Sequence, residues 1–114
     1  MVFWTTALDY GRHNIRCNAI CPGGIKTEMT EKEFGKLGKA LGMETDSFFA
    51  TISKVLPLQR FGQPPEIGGI CTFLASDDSS FMTGAALVID AGNAVVDTLG
   101  AMMVDTLRRG GIIK

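Results

Sequence analysis

Ile15-Arg16-Cys17-Asn18-Ala19-Ile20-Cys21-Pro22-Gly23-Gly24-Ile25-Lys26-Thr27 is the stretch whose reading decides the fold. Apolar residues dominate Ile15 to Cys21, which predicts a short buried strand, and Pro-Gly-Gly ends it, because proline lacks an amide donor and glycine frees the backbone. The carboxyl end of a strand is therefore marked. In open α/β sheets ligands sit just beyond such ends, and a turn without bulky side chains lets a flat ligand approach the backbone. Residues 22–27 are thus the first candidate for a binding site. Their chemistry is consistent with that: a small surface admits a ring, a backbone N–H and C=O pair matches an amide, and a threonine both donates and accepts. Asn18 lies inside the strand, where a buried amide needs partners, and is read as structural.

A second continuous apolar run, Ala85 to Ile89, reads as another strand ending at Asp90-Ala91-Gly92. Before it, Gln63-Pro64-Pro65-Glu66 is a helix start, with proline in the first turn and an acid near the positive helix end. Ile67, Ile70, Cys71 and Leu74 then repeat at helical spacing and predict a buried stripe. Strand, helical connection and strand imply parallel pairing through a right-handed crossover.

Between the first turn and this helix, Thr30-Glu31-Lys32-Glu33 predicts a capping box and a helix start. Phe34, Leu37 and Leu41 give that helix a thin apolar stripe, which Gly35, Gly38 and Gly42 weaken. Thr45 or Asp46 caps a second short helix with Phe48, Phe49, Ile52, Val55 and Leu56 on its apolar face. This pair reads equally as plain core or as a mobile lid over a ligand. Met1 to Tyr10 reads as a helix with Phe3, Trp4, Ala7 and Leu8 on one face and Gly11 as its cap. In the tail, Val95, Val96, Leu99, Met102, Met103 and Leu107 have helical spacing, Arg108 and Arg109 suit a C-terminus, and Gly110-Gly111 would stop the helix.

Composition narrows the function classes. The 114 residues are 46% hydrophobic and 20% charged, with net charge −1, which fits one soluble globular unit. No basic run exists, so a nucleic-acid partner is not expected. No apolar stretch approaches the ~18 residues that span a bilayer, and no signal core follows Met1, so no membrane partner and a cytoplasmic location are expected. Cys17, Cys21 and Cys71 are odd in number and lack Cys-x-x-Cys spacing. Neither disulfide nor metal site is expected, and the three read as small buried thiols. His13, in the turn-like Gly11-Arg12-His13-Asn14, reads as a surface loop residue.

Three segments together resemble the short-chain dehydrogenase/reductase family. Asn18 to Thr27 is similar to that family's passage from a late strand into the Pro-Gly-x-x-x-Thr turn over the nicotinamide. Leu56 to Ile67 resembles the entry into its last core helix, and Phe73 to Gly84 with Val88 to Gly92 resembles its final helix-to-strand passage. The resemblance implies an α/β fold, the C-terminal portion of a Rossmann-like doubly wound parallel sheet, here two strands with flanking helices. It implies a domain over residues 1–92, with 93–114 as a tail that departs from the family pattern.

What the resemblance implies about chemistry is hydride transfer between a nicotinamide cofactor, NAD or NADP, and a small carbonyl or alcohol substrate. Pro22 and Gly23 would pack beside the nicotinamide, Ile25 would hold the carboxamide through its backbone, and Thr27 would bond the carboxamide or pyrophosphate. The family's Tyr-x-x-x-Lys pair and its Gly-x-x-x-Gly-x-Gly turn do not occur in these 114 residues: the only tyrosine, Tyr10, is followed by Gly11-Arg12-His13-Asn14. No catalytic residue is therefore assigned, and the chain alone is expected neither to catalyse nor to hold a dinucleotide tightly. A non-catalytic interaction module and a truncated product are the alternatives. Homo-oligomerisation or self-association is expected, because two strands leave sheet edges open.

Overall fold

The computed structural model describes residues 2–114, and of residues 98–102 the backbone alone. Among the described residues the elements run α1 (Val2–Tyr10), β1 (Ala19–Pro22), α2 (Glu28–Ala40), α3 (Thr45–Ile52), α4 (Pro64–Ala75), β2 (Ala86–Ile89) and α5 (Thr98–Arg109), with short 3-10 turns between. They form two compact units: the chain up to Ile25 with Gly62–Asp90, and Lys26–Phe61 with Ala91–Lys114. No helix among them is long and apolar enough to cross a membrane.

The first unit is built on the parallel pair β1 and β2, in register from Ala19 opposite Ala86 to Pro22 opposite Ile89. The strand begins later than the apolar run suggested, because residues before Ala19 are fastened by side chains instead of by a ladder. Asn18 Oδ1 accepts the Ala85 N–H at 3.0 Å and its Nδ2 donates to the Met82 carbonyl at 3.0 Å. The Cys17 N–H donates to Thr83 Oγ1, and its carbonyl accepts from Gly84. Arg16 donates to the carbonyls of Leu74 at 2.7 Å and Met82 at 3.2 Å, and Trp4 Nε1 donates to the Gly84 carbonyl. Asn18 is thus the structural residue it was read to be.

Burial in this unit is slight. α4 starts where expected, at Pro64 with Gln63 as its cap, and the Gln63 backbone N–H donates to Glu66 Oε2 at 2.7 Å. Its predicted buried stripe is only half-buried at Ile67, Ile70 and Leu74, and Cys71 is exposed. The expectation of buried thiols fails likewise: Cys21 is exposed and Cys17 half-buried. A two-stranded sheet has too little face to cover a helix stripe or its own outward side chains. At the front, α1 does not stop at Gly11. It tightens into a 3-10 turn, and Asn14 takes the left-handed cap position at φ 59°, a conformation that asparagine tolerates better than most residues.

The second unit is organised by glycine and phenylalanine. α2 starts at Glu28 with Thr27 as its cap, three residues before the Thr30 cap expected, because Thr27 and Thr30 cap each other: Thr27 Oγ1 accepts the Thr30 N–H at 3.3 Å, and the Thr27 N–H donates to Thr30 Oγ1 at 2.8 Å. Its packing face is not the Leu37–Leu41 stripe, since both leucines are exposed. Gly35 and Gly38 are buried. A Cβ on Gly35 would meet Thr45 Oγ1 at 3.1 Å, and one on Gly38 would meet Phe48 Cβ at 3.2 Å. Close approach of α2 to α3 is what these glycines provide.

Phe48 and Phe49, each 6% exposed, are buried as expected, whereas Val55 on the same predicted face is exposed. Phe34, Phe49 and Phe61 stand 5.1–5.9 Å apart, centroid to centroid, and Phe34 also meets Phe48 at 6.0 Å. Glu44, rather than Thr45 or Asp46, occupies the cap position of α3, and no side chain bonds there. The tail forms the expected helix, and Gly111 follows at φ 68°. Of its apolar set, Val96 and Leu107 are half-buried and Val95 and Met103 exposed. The spacing expected of Leu99 and Met102, like the helix start at Met1, lies outside the described residues.

Candidate functional site

β1 and β2 end side by side, and the chain beyond them is pinned by backbone bonds. Gly23 N–H donates to the Ile89 carbonyl at 2.9 Å, and the Gly24 carbonyl accepts from Gly62 N–H at 2.9 Å, which sets Ile25 opposite Gly62 in an isolated parallel bridge. Pro22 is the last strand residue rather than the break itself. Ala19 donates to Ala85, just ahead of β2, and Gly23 to Ile89 within it, and peptide groups alternate sides along a strand, so the proline nitrogen faces away from β2 and costs the ladder nothing.

Gly23 is required for a reason other than ligand room. A Cβ there would lie 2.6 Å from Asp90 Cα and 2.7 Å from Asp90 Cβ, so the end of β2 already occupies the space that glycine leaves. Gly62 is similarly tight, its added Cβ falling 2.8 Å from Ile25 Cδ1. This unit therefore brings together Pro22, Gly23 and Ile25 of the predicted set, with their backbone held and the Pro22 ring exposed.

Thr27, the fourth predicted residue, stands in the other unit as the N-cap of α2. Its hydroxyl oxygen is engaged by the Thr30 amide, and it lies 3.2 Å from Thr30 Oγ1. Thr30 can direct its own proton to the Thr27 carbonyl, 3.0 Å away. The Thr27 hydroxyl proton is then able to turn from Thr30 toward another acceptor.

Lys26 was not singled out in the sequence. Its Nζ lies 2.9 Å from Asp46 Oδ1 and 3.6 Å from Glu31 Oε1, and 5.2 Å from the centre of the Phe49 ring. The hydrogen bond to Asp46 holds its pKa above the ordinary lysine value, against the opposing effect of desolvation. The start of α2 and the start of α3 are thereby tied through one ammonium. No local sequence signal announces a partner twenty residues away. Elsewhere, His13 is exposed as read, 3.2 Å from the Arg12 Nε that donates to it. Among the described residues no group of three or more His, Cys, Asp or Glu is placed to hold a metal ion.

Comparison with known proteins bears on the family and the fold. The family profile described as enoyl-(acyl carrier protein) reductase matches residues 2–94. The 2-keto-3-deoxy-L-fuconate dehydrogenase of Xanthomonas campestris is 42% identical over 86 residues, 75% of this chain and 27% of that one. Among solved structures, a short chain dehydrogenase family protein from Francisella tularensis superposes with a TM-score of 0.78 at 35% identity, covering 82% of this chain and 39% of its own. The L-sorbose reductase of Gluconobacter frateurii, solved with NADPH and L-sorbose, superposes at 0.76 with 30% identity, covering 81% of this chain and 35% of its own. The chain spans about a third of the length of the curated relatives it matches.

Proposed function

The chain belongs to the short-chain dehydrogenase/reductase family, and from that premise we propose that residues 22–27 are its contribution to the nicotinamide side of an NAD(P)-dependent oxidoreductase site. The carrying observation is the paired ending of β1 and β2, with Gly23 and Gly24 each held by a backbone bond at 2.9 Å. Such a fixed strand end suits a flat ring. Pro22 and Gly23 would pack beside the nicotinamide, Ile25 would take the carboxamide through its backbone, and Thr27 would turn its hydroxyl proton to the carboxamide or pyrophosphate. When bound, the cofactor supplies the hydride chemistry. The role of this chain's own residues is to orient the ring, since no Tyr-x-x-x-Lys pair is among them to move a proton. The substrate class is a small alcohol or carbonyl compound, which the sugar-directed relatives support. Under the same reading the family domain covers residues 1–92, and 93–114 are a C-terminal tail.

NADPH and NADH titrated into the isotopically labelled chain test this reading. Amide signals of Gly23, Gly24, Ile25 and Thr27 should move first, and only at ligand concentrations on the order of millimolar, because no glycine-rich phosphate cradle is present in the sequence to anchor the dinucleotide. Shifts confined to other residues would remove the assignment, and micromolar binding would reveal a phosphate site elsewhere.

A second reading, self-association, is favoured by the apolar surface of the sheet-bearing unit: Phe81 is 104% and Val88 55% exposed, and Leu8 is exposed too. Apolar exposure of that kind is characteristic of surfaces that meet a partner. Size-exclusion chromatography together with 8-anilinonaphthalene sulfonate fluorescence should show a concentration-dependent larger species and dye binding. A sharp monomer peak without dye signal would discard it.

A further inference from the structure

We propose that the cleft between α5 and the turn after α3 is a binding site for a small phosphate monoester. Thr51, Lys54, Val55, Val104, Arg108 and Arg109, with Asp105, enclose a cavity of about 250 Å³. Three of these residues are cations and one is an anion, in a chain whose net charge is −1. The imbalance is local. Asp105 is matched to Arg109, its Oδ2 standing 2.7 Å from Nε. Among the described residues no ion pair neutralises Lys54 or Arg108, so two positive charges remain on the wall of one concavity.

The remaining lining decides the kind of anion. Thr51 directs its hydroxyl proton to the Ser47 carbonyl at 2.8 Å, so its oxygen stands as an acceptor in the cleft. A guanidinium and an ammonium donate to phosphate oxygens, and the Thr51 acceptor on the same wall suits a phosphate that still carries a proton. Val55 and Val104 supply an apolar wall for a short organic group on that phosphate. The volume is below the usual range for drug-sized ligands, roughly 300–1,000 Å³, and admits only a small molecule. α5, which supplies Val104, Asp105, Arg108 and Arg109, lies beyond the residues matched by the family profile, 2–94, and no lining residue belongs to the set proposed for the nicotinamide.

Inorganic phosphate and phenyl phosphate, titrated calorimetrically into the full chain at low salt, test the proposal. Phenyl phosphate should bind more tightly than inorganic phosphate, and Lys54→Gln and Arg108→Gln should each weaken it about tenfold, the loss expected of one charge-assisted hydrogen bond. Asp105→Asn should act in the opposite direction, because it removes the one negative charge among the described lining residues and frees Arg109. Circular dichroism of each variant identifies any that fails to fold, and the sign reversal at Asp105 carries the test if Arg108→Gln is lost. No heat with either probe, equal binding by all variants, or binding abolished equally by chloride and by sulfate at matched ionic strength would overturn it.

Discussion

Around β1 and β2 the chain is fastened by hydrogen bonds: Asn18 to Ala85 and Met82, Arg16 to Leu74 and Met82, Trp4 to Gly84. Around α2 and α3 it is fastened by phenyl rings, with Phe48 and Phe49 buried and Phe34 and Phe61 against them. Each net hydrogen bond contributes about 0.5–1.5 kcal/mol, while a fully buried phenylalanine contributes about 1.5–3 kcal/mol before packing is counted. The first kind of fastening fixes register; the second supplies cohesion. The sheet-bearing unit, which presents the strand-end turn, is therefore specified in geometry but thin in buried apolar surface.

The sharpest way to break that comparison is Phe49→Ala. Removing a ring from the centre of the cluster should destabilise the helical unit by about 3–5 kcal/mol, read as loss of cooperative urea unfolding by circular dichroism. Trp4, the sole tryptophan, stands in the other unit, and a variant whose Trp4 fluorescence transition moved just as far would show that the two kinds of fastening are not separable. Gly23→Ala probes the sheet unit. The new Cβ must displace Asp90, since 2.6 Å is inside any real contact, and the expected cost is about 1–3 kcal/mol. An unchanged denaturation midpoint would mean that the strand ends yield freely.

Thr27→Val sharpens the comparison further. It removes the acceptor of the Thr30 amide and should cost about 1 kcal/mol through lost capping alone, whereas Thr27→Ser should restore both cap and stability. A valine variant as stable as the parent would show the cap to be idle. The smallest effect belongs to Lys26. Its pKa is raised in the folded chain, so its contribution is fully present below 10.5 and is lost as pH rises through the higher folded value. Denaturation midpoints of parent and Lys26→Met should differ at neutral pH and converge well above 10.5; a constant gap would dissociate the ammonium from the interaction.

How much of this was legible varies with the range over which the physics acts. Gln63-Pro64-Pro65-Glu66 and the apolar Ala86–Ile89 strand were readable because their signals lie within a few residues. The start of α2 was misplaced because Thr27-x-x-Thr30 and Thr30-x-x-Glu33 both offer a cap, and a threonine hydroxyl did the work assigned to glutamate. The packing face of α2 was misread because periodicity scores Leu37 and Leu41 but cannot score a contact made by the absence of a side chain at Gly35 and Gly38. Burial of Cys71 and of the α4 stripe was overestimated because apolar spacing says which face is greasy, not whether anything covers it. Of the residues proposed for the nicotinamide, the strand end was legible at Pro22 and Gly23, but Thr27 as a cap was not.

Pro22 has one more consequence, for what a foreign β-strand would find on the far side of β1. A template for strand addition needs a donor and an acceptor at every second residue, and on that side the alternating peptides are those of Ile20 and Pro22. Proline supplies the acceptor but no donor, so an incoming strand would be gripped at Ile20 and lose its next rung immediately. Proline on an edge is one of the ways natural sheets blunt runaway strand addition. The residue that finishes β1 thus also biases any accretion of chains toward the opposite edge, along Ala86 and Val88.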